Sequence, residues 1–225
     1  MKQMIVLFFS MILIGSMSST AQADIIAGWD MYGVGTVDTV TGVSDLIEVT
    51  VYDMSMGDGL SAYSGSNSFN TSGWGGTDAG DYIQIGFSVA DGFEVTLDEF
   101  WLGTRSSSTG PGTIGVYTSL DNYTTAIYSI TQDDTAYINS IFDLSILGMV
   151  SGDFYIRLYE IGDTQADGDG STSASGTFRI TDYYDSGEYT DVQITGTVSA
   201  VPIPAALWLL GSGLIAVFGV SRKKV

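Results

Sequence analysis

The amino-acid sequence predicts an all-β protein, a two-sheet antiparallel sandwich with a jelly-roll-like arrangement of strands. Between residues 24 and 200, β-branched and aromatic residues recur in short alternating stretches. Glycine and aspartate turn signals separate these stretches, and runs of helix-forming residues are few. The region is long enough for one sizeable hydrophobic core, so we expect residues 24–200 to form one domain.

Alternation of apolar and polar residues predicts about nine strands. They cover residues 25–30, 46–54, 82–89, 93–101, 113–119, 125–130, 154–161, 177–184 and 190–198. Asp91-Gly92 is a hairpin turn signal between the third and fourth of these strands, so the two are expected to pair. Residues 59–80, crowded with Ser, Asn and Gly, are expected to form a long surface loop. Residues 142–150 are expected to form a loop or a single helical turn.

Residues 1–23 have the parts of a secretory signal peptide. A lysine near the start supplies a positive charge, an apolar stretch follows, and the segment ends in Ala21-Gln22-Ala23. Cleavage after Ala23 would make Asp24 the mature N-terminus. This pattern predicts export through the Sec machinery.

Residues 201–225 combine a proline pair, an apolar run and a basic end. The run at 205–220 is uncharged, and as a helix it would be roughly 24 Å long at ~1.5 Å per residue. This length is just enough for a short transmembrane helix. Arg222, Lys223 and Lys224 would stay in the cytoplasm by the positive-inside rule, so the preceding domain would face outward from the inner membrane.

The order of these parts resembles the PEP-CTERM sorting signal, in its variant with a Val-Pro-x-Pro-Ala box. Val201, Pro202, Pro204 and Ala205 form the box, and the apolar run and basic end follow it. Ile203 stands where the family's namesake glutamate would be. The resemblance implies a protein exported by a Gram-negative bacterium, processed by a membrane-embedded exosortase and sorted to the cell surface or beyond. An ordinary single-pass anchor is the alternative.

The predicted exported domain, residues 24–200, is strongly acidic. All 26 acidic residues lie there with three bases, Arg105, Arg157 and Arg179, so the formal charge is 3 minus 26, or −23. Such a surface repels nucleic acid and attracts divalent cations or cationic partners, which excludes DNA and RNA binding. Each arginine is expected to pair with a carboxylate, and an anion-binding role is the alternative.

The same region contains no histidine, cysteine or lysine. A thiol protease, a histidine-dependent hydrolase and a zinc enzyme with imidazole ligands are therefore excluded. Glycoside hydrolysis needs two facing carboxylates. Glu48, Asp98, Glu99 and Glu160 are strand-borne candidates, but no spacing pairs any two of them. We therefore expect no catalytic site.

Two loops are candidates for ligand binding. Trp74, flanked by glycines, would offer a flat ring on which a sugar can stack if it is exposed, and a ring folded onto the sandwich is the alternative. Asp163, Asp167 and Asp169 place three carboxylates on a glycine-bearing loop. Their oxygens suit Ca²⁺, which is therefore a candidate ligand, although the EF-hand spacing and its closing glutamate are missing. A plain solvated acidic loop is the alternative.

These observations predict an exosortase-sorted component of the cell surface or biofilm matrix without a catalytic site. A lectin-like carbohydrate-binding module is the first alternative, and a small carboxylate-dependent glycosidase is the second. The expected partners are the Sec machinery, an exosortase, the inner membrane through the C-terminal helix, and exopolysaccharide.

Overall fold

The computed structural model of the chain describes residues 23–76 and 79–202, which form antiparallel β-sheets in a sandwich-like arrangement. The all-β prediction is confirmed. Within the described residues, no helix is both long enough and apolar enough to cross a membrane. The predicted signal peptide up to Ala21, the transmembrane helix at 205–220 and the basic end at 222–224 lie outside the described residues.

Sixteen strands and two short 3₁₀ helices make up the described chain. The strands are β1 (Asp24–Trp29), β2 (Thr39–Val40), β3 (Val49–Met56), β4 (Ser61–Ala62), β5 (Phe69–Ser72), β6 (Tyr82–Val89), β7 (Phe93–Ser106), β8 (Thr113–Thr118), β9 (Tyr128–Thr131), β10 (Ile138–Asp143), β11 (Met149–Val150), β12 (Gly152–Glu160), β13 (Thr177–Thr181), β14 (Tyr183–Asp185), β15 (Glu188–Thr190) and β16 (Val192–Ala200). The 3₁₀ helices are Ser119–Asp121 and Ser145–Leu147. The second of them lies within residues 142–150, where a loop or a single helical turn was expected, but the two ends of that range belong to β10 and β11.

The strands form an eight-stranded sheet, a six-stranded sheet and a small hairpin. The eight-stranded sheet has the order β1-β16-β7-β13-β5-β4, and β10 and β11 also pair with β7. β7 is central to this sheet, because β16 and β13 pair along one of its edges and β10 and β11 along the other. The six-stranded sheet has the order β2-β3-β6-β12-β8-β9, and β14 and β15 form the hairpin.

Both large sheets contribute to one cluster of buried apolar side chains. Alternate residues of β6 and β12, such as Phe87 and Phe154, face this core from the six-stranded sheet. Phe100 of β7 and Phe178 of β13 face it from the eight-stranded sheet. Each such side chain contributes about 1.5–3 kcal/mol by leaving water. The core accounts for the strand alternation seen in the sequence.

The predicted hairpin between β6 and β7 is wrong. The two strands follow each other through the Asp91-Gly92 turn, where Gly92 has a φ of 84°, but they lie in different sheets. β6 pairs with β3 and β12, whereas β7 pairs with strands that come later in the chain. A turn signal specifies where the chain reverses but does not specify which strands pair, so this turn carries the chain from one sheet to the other.

The predicted long loop at 59–80 is also wrong in part, because it contains β4 and β5. β5 pairs with β13, and its residues Phe69, Asn70 and Thr71 are buried. The Asn70 side chain donates a hydrogen bond to the carbonyl of Ser64 at 2.7 Å. The polar composition that indicated a loop is therefore accommodated in a strand, where the Asn70 amide nitrogen and the Thr71 hydroxyl have partners and the Asn70 side-chain oxygen has none within the described residues.

Candidate functional site

A cleft of about 680 Å³ opens where several strand ends of the eight-stranded sheet meet. The chain leaves β1 after Trp29, which pairs with Val192 at the start of β16. Nearby, β13 ends at Thr181, and β10 begins at Ile138. Loop residues at these ends, together with the β14-β15 hairpin, line the cleft. We call it the tyrosine cleft, after the four tyrosines described next.

Tyr32, Tyr137, Tyr184 and Tyr189 line the cleft, and each is between 47% and 80% exposed. The rings of Tyr184 and Tyr189 face each other across the β14-β15 hairpin, with centroids 4.8 Å apart. The guanidinium carbon of Arg105 lies 4.8 Å from the centroid of the Tyr137 ring. Aromatic rings that remain exposed beside a concave surface are typical of ligand-binding sites, because they combine an apolar face with a polar edge.

Three aspartates lie on the floor of the same cleft. Carboxylate oxygens of Asp30, Asp182 and Asp191 all lie within 4.8 Å of one another. Asp30 accepts a hydrogen bond from the backbone N–H of Tyr32 at 2.7 Å, and Asp182 accepts one from the N–H of Met31 at 3.0 Å. The loop after β1 therefore holds two of the three carboxylates in place.

Burial and the charges of neighbouring carboxylates favour the protonated forms of Asp182 and Asp191. Burial raises the pKa of Asp182 to about 6, and the nearby charges of Asp191 and Asp30 act in the same direction. Burial and the charge of Asp30 also raise the pKa of Asp191. Carboxylates at this spacing could share a proton or hold a hard cation such as Ca²⁺ between them.

We expect the protein to become more stable by a few degrees as the pH falls from about 7.5 to 5. An ordinary Asp has a pKa of 3.8, so in this window folded Asp182 binds a proton that the unfolded chain has released. The raised pKa values of Asp191 and Glu160 act in the same direction. The variant Asp182→Asn keeps an acceptor oxygen for the Met31 N–H and removes the charge. Its melting temperature at pH 7.5 should be no lower than that of the wild type and should change less with pH.

Thermal unfolding followed by circular dichroism in a chelator-containing buffer measures this effect. A wild-type melting temperature that falls between pH 7.5 and 5 would contradict the expectation. So would an Asp182→Asn variant with the same pH dependence as the wild type.

The loop with Asp163, Asp167 and Asp169 is exposed. Asp163 accepts a hydrogen bond from the N–H of Thr172 at 3.0 Å, and Asp167 accepts one from the N–H of Asp169 at 2.9 Å. Over the part of the chain that the structure describes, the three carboxylates found close enough to share an ion are those of the tyrosine cleft instead. Calcium binding at the loop stays a prediction.

Trp74 is fully buried, so the prediction of an exposed stacking ring at this position is wrong. Its indole N–H donates to the hydroxyl oxygen of Thr71 at 3.0 Å, and its ring meets Phe178 edge to face with centroids 5.5 Å apart. The flanking glycines let the loop fold the ring inward. Gly73 has a φ of 105°, in the region that favours glycine.

The predicted processing sites lie at the edges of the sandwich. Ala23 and Asp24 are exposed at the start of β1. Val201 and Pro202 follow the last strand directly, and the N–H of Val201 donates to the carbonyl of Gly92 at 2.8 Å. Pro204 and Ala205 lie outside the described residues.

The candidate carboxylates Glu48, Asp98, Glu99 and Glu160 do not line the tyrosine cleft, and Glu48 lies in the turn before β3 rather than in a strand. Burial raises the pKa of Glu160 to about 7, with a smaller contribution from neighbouring carboxylates. Glu160 therefore lies near Asp163 and Asp81, whereas the three-carboxylate cluster of the tyrosine cleft contains none of the four candidates.

Sequence reasoning missed the cleft because its members come from distant parts of the chain. Asp30 and Asp182 are 152 positions apart, and no spacing rule joins them. One local signal was present, a turn at 185–187 with tyrosines on both sides. Exposed tyrosines concentrated on a tight hairpin indicate a surface built for contact, and this signal could have identified one wall of the cleft.

In comparisons with known proteins, no family model matches the chain, and no curated protein or solved structure is significantly similar to it. The function is therefore inferred from the site and from the sequence signals.

Proposed function

We propose that this protein is an exported component of the bacterial surface or extracellular matrix whose sandwich binds carbohydrate through the tyrosine cleft. The observation that supports this most strongly is the cleft itself, a concave site of about 680 Å³ walled by four exposed tyrosines. We further propose that the sandwich is jelly-roll-like.

The chemistry of the cleft suits a sugar. Pyranose rings have apolar C–H faces that pack on tyrosine rings, and their hydroxyls need hydrogen-bond partners. Asn67 and Asn139 offer amide donors and acceptors in the cleft, and the aspartates offer strong acceptors. This combination of apolar walls and a few polar groups is typical of small-molecule and glycan sites.

The cellular location of the protein is proposed from the two ends of the sequence. The signal-peptide pattern of residues 1–23 supports export, and the PEP-CTERM-like tail at 201–225 supports processing by an exosortase, after a stage held in the inner membrane. Exopolysaccharide is then the glycan most accessible to the exported domain. The role is that of a binding component rather than an enzyme.

The double variant Tyr32→Ala/Tyr189→Ala tests the binding site. We expect it to bind the producing strain's exopolysaccharide at least about fivefold more weakly than the wild type, because each of the two rings contributes about 0.5–1.5 kcal/mol. Tyr63→Ala is the matched control, since Tyr63 is 46% exposed and does not line the cleft. Binding is measured by glycan array and then by titration calorimetry on the purified protein. Equal binding by the double variant and the wild type would overturn the assignment of the cleft.

A second candidate function, a glycosidase, is favoured by one observation. Asp182, with a pKa raised to about 6, lies beside the carboxylate of Asp191. A protonated and an ionised carboxyl group close together are the acid and nucleophile of retaining glycoside hydrolysis. Release of reducing ends from the polysaccharide by the wild type, lost in Asp182→Asn, would indicate this activity.

A further inference from the structure

A second aromatic surface covers the outer face of the six-stranded sheet and is centred on Arg157. Ile156 and Leu158 of β12 are buried in the core, so the residues between and beside them project to the opposite face. These outward residues are Tyr155, Arg157 and Tyr159, and all three are partly exposed. We call this surface the Arg157 face.

Tyrosine rings hold the Arg157 guanidinium on both sides. Its central carbon lies 4.0 Å from the centroid of the Tyr82 ring and 4.1 Å from that of Tyr123. Its Nε donates to the side-chain oxygen of Gln84 at 2.8 Å, and Nη1 donates to the hydroxyl of Tyr159 at 3.0 Å. The orientation of the guanidinium plane is therefore fixed before any ligand arrives, which reduces the entropy lost on binding.

Among the contacts found within the described residues, Arg157 has no carboxylate partner. A carboxylate partner was expected for Arg157, but tyrosine rings and neutral oxygens take that place. A guanidinium has five N–H donors, and two of them have the partners named above. The Arg157 side chain is partly exposed, so part of it is accessible to solvent.

Three carboxylates lie around this face. Asp81 and Glu160 line a pocket together with Tyr123 and Tyr159, and Asp153 lies further along β12. Asp153 is the next carboxylate on the same face of β12, and its oxygen accepts a hydrogen bond from the Tyr52 hydroxyl at 2.7 Å. It lies four residues from Arg157, about 13 Å along the strand at ~3.3 Å per residue. This distance exceeds the screening length of about 8 Å at physiological salt.

The rings around Arg157 form a surface suited to a sugar. Tyr52 and Tyr155 stack with centroids 5.2 Å apart and planes 12° apart, and Tyr117 meets Tyr159 edge to face at 5.4 Å. The rings support one another and so keep their orientation without a ligand. Their exposed parts offer apolar area beside the hydroxyls and the partly exposed guanidinium.

We propose that the Arg157 face binds the carboxylate of an acidic sugar, a hexuronate residue of a polysaccharide. The planar fork matches the two oxygens of a carboxylate, and a single positive charge suits a monoanion. The tyrosine rings would pack against the sugar ring that carries the carboxylate. The site is distinct from the tyrosine cleft, so this proposal can be tested independently of the role proposed for that cleft.

Oligogalacturonate and its methyl ester test this proposal as a matched pair of ligands, because the ester removes the charge and keeps the sugar backbone. Titration calorimetry on the purified protein, in 150 mM salt with chelator, measures both. We expect the wild type to bind the acid at least tenfold more tightly than the ester. Arg157→Lys keeps the charge and loses the planar fork, so it should lose this preference, whereas the control Arg179→Lys should keep it.

Absence of an acid preference in the wild type would overturn the proposal, and this comparison does not depend on any variant folding. Retention of the preference in a folded Arg157→Lys protein would also overturn it. The cleft variant Tyr32→Ala/Tyr189→Ala should keep the preference. Its loss there, with Arg157→Lys unaffected, would place the acidic sugar in the cleft instead.

Discussion

Replacing Trp74 by alanine is expected to lower the free energy of unfolding by about 3–5 kcal/mol. The indole is fully buried, and its removal would leave a cavity beside Phe178. It would also remove the indole N–H that donates a hydrogen bond to the hydroxyl oxygen of Thr71. The cavity and the lost hydrogen bond act together, so this is among the largest effects that a single truncation in this protein should produce.

Equilibrium denaturation followed by far-ultraviolet circular dichroism measures the loss. Tyr189→Ala is the control, because its ring is 74% exposed and its removal should change the free energy of unfolding by no more than about 0.5 kcal/mol. A Trp74→Ala protein as stable as the wild type would show that this ring is not part of the core.

Deletion of the exosortase is expected to leave the C-terminal tail attached to all of the mature protein. With the enzyme present, the intact mass should correspond to a chain that starts at Asp24 and has lost the residues after the Pro202-Pro204 box. Without it, the chain should keep Arg222 to Val225 and remain in the inner membrane, because the apolar run and basic end anchor it there.

Intact-mass measurement and cell fractionation in both strains test this expectation. A strain with a working single-pass anchor, deleted for the exosortase, provides the fractionation control. If the basic end is present in both strains, the tail is an ordinary anchor and the sorting proposal is wrong.

Strand positions could be read from the sequence because burial imposes a period of two. Each predicted strand has a counterpart in the structure, and residues 82–89 coincide with β6. The ends of the strands were predicted less accurately than their positions. β7 continues to Ser106, because its last residues pair with β10 and β13 although several of them are polar. Short strands such as β5 escaped detection because their polar residues resemble those of a loop.

Pairing could not be read from the sequence, because it depends on contacts between distant segments. The Asp91-Gly92 turn indicated a hairpin, but β7 pairs with β13 and β16, which lie roughly 75 and 100 residues later in the chain. The candidate sites depend on the same long-range contacts. The pairing of β1 with β16 brings Asp30 close to Asp191, and the pairing of β5 with β13 brings Trp74 close to Phe178.

The two aromatic surfaces were hidden for a further reason. Tyrosine is common both in strands and at binding sites, so the spacing of tyrosines in the sequence does not distinguish the two roles. In the structure, the tyrosine rings of the two surfaces differ in exposure. Tyr32 and Tyr189 remain open beside the aspartates, whereas Tyr82 and Tyr123 enclose Arg157.

Hydrogen–deuterium exchange on the purified protein, with and without the producing strain's exopolysaccharide, tests the central claim most directly. The claim is that the tyrosine cleft binds carbohydrate. It predicts slower exchange in peptides that cover residues 30–32, 137–139 and 181–191, which line the cleft. Unchanged exchange in all three segments, at a polysaccharide concentration that saturates binding, would contradict it.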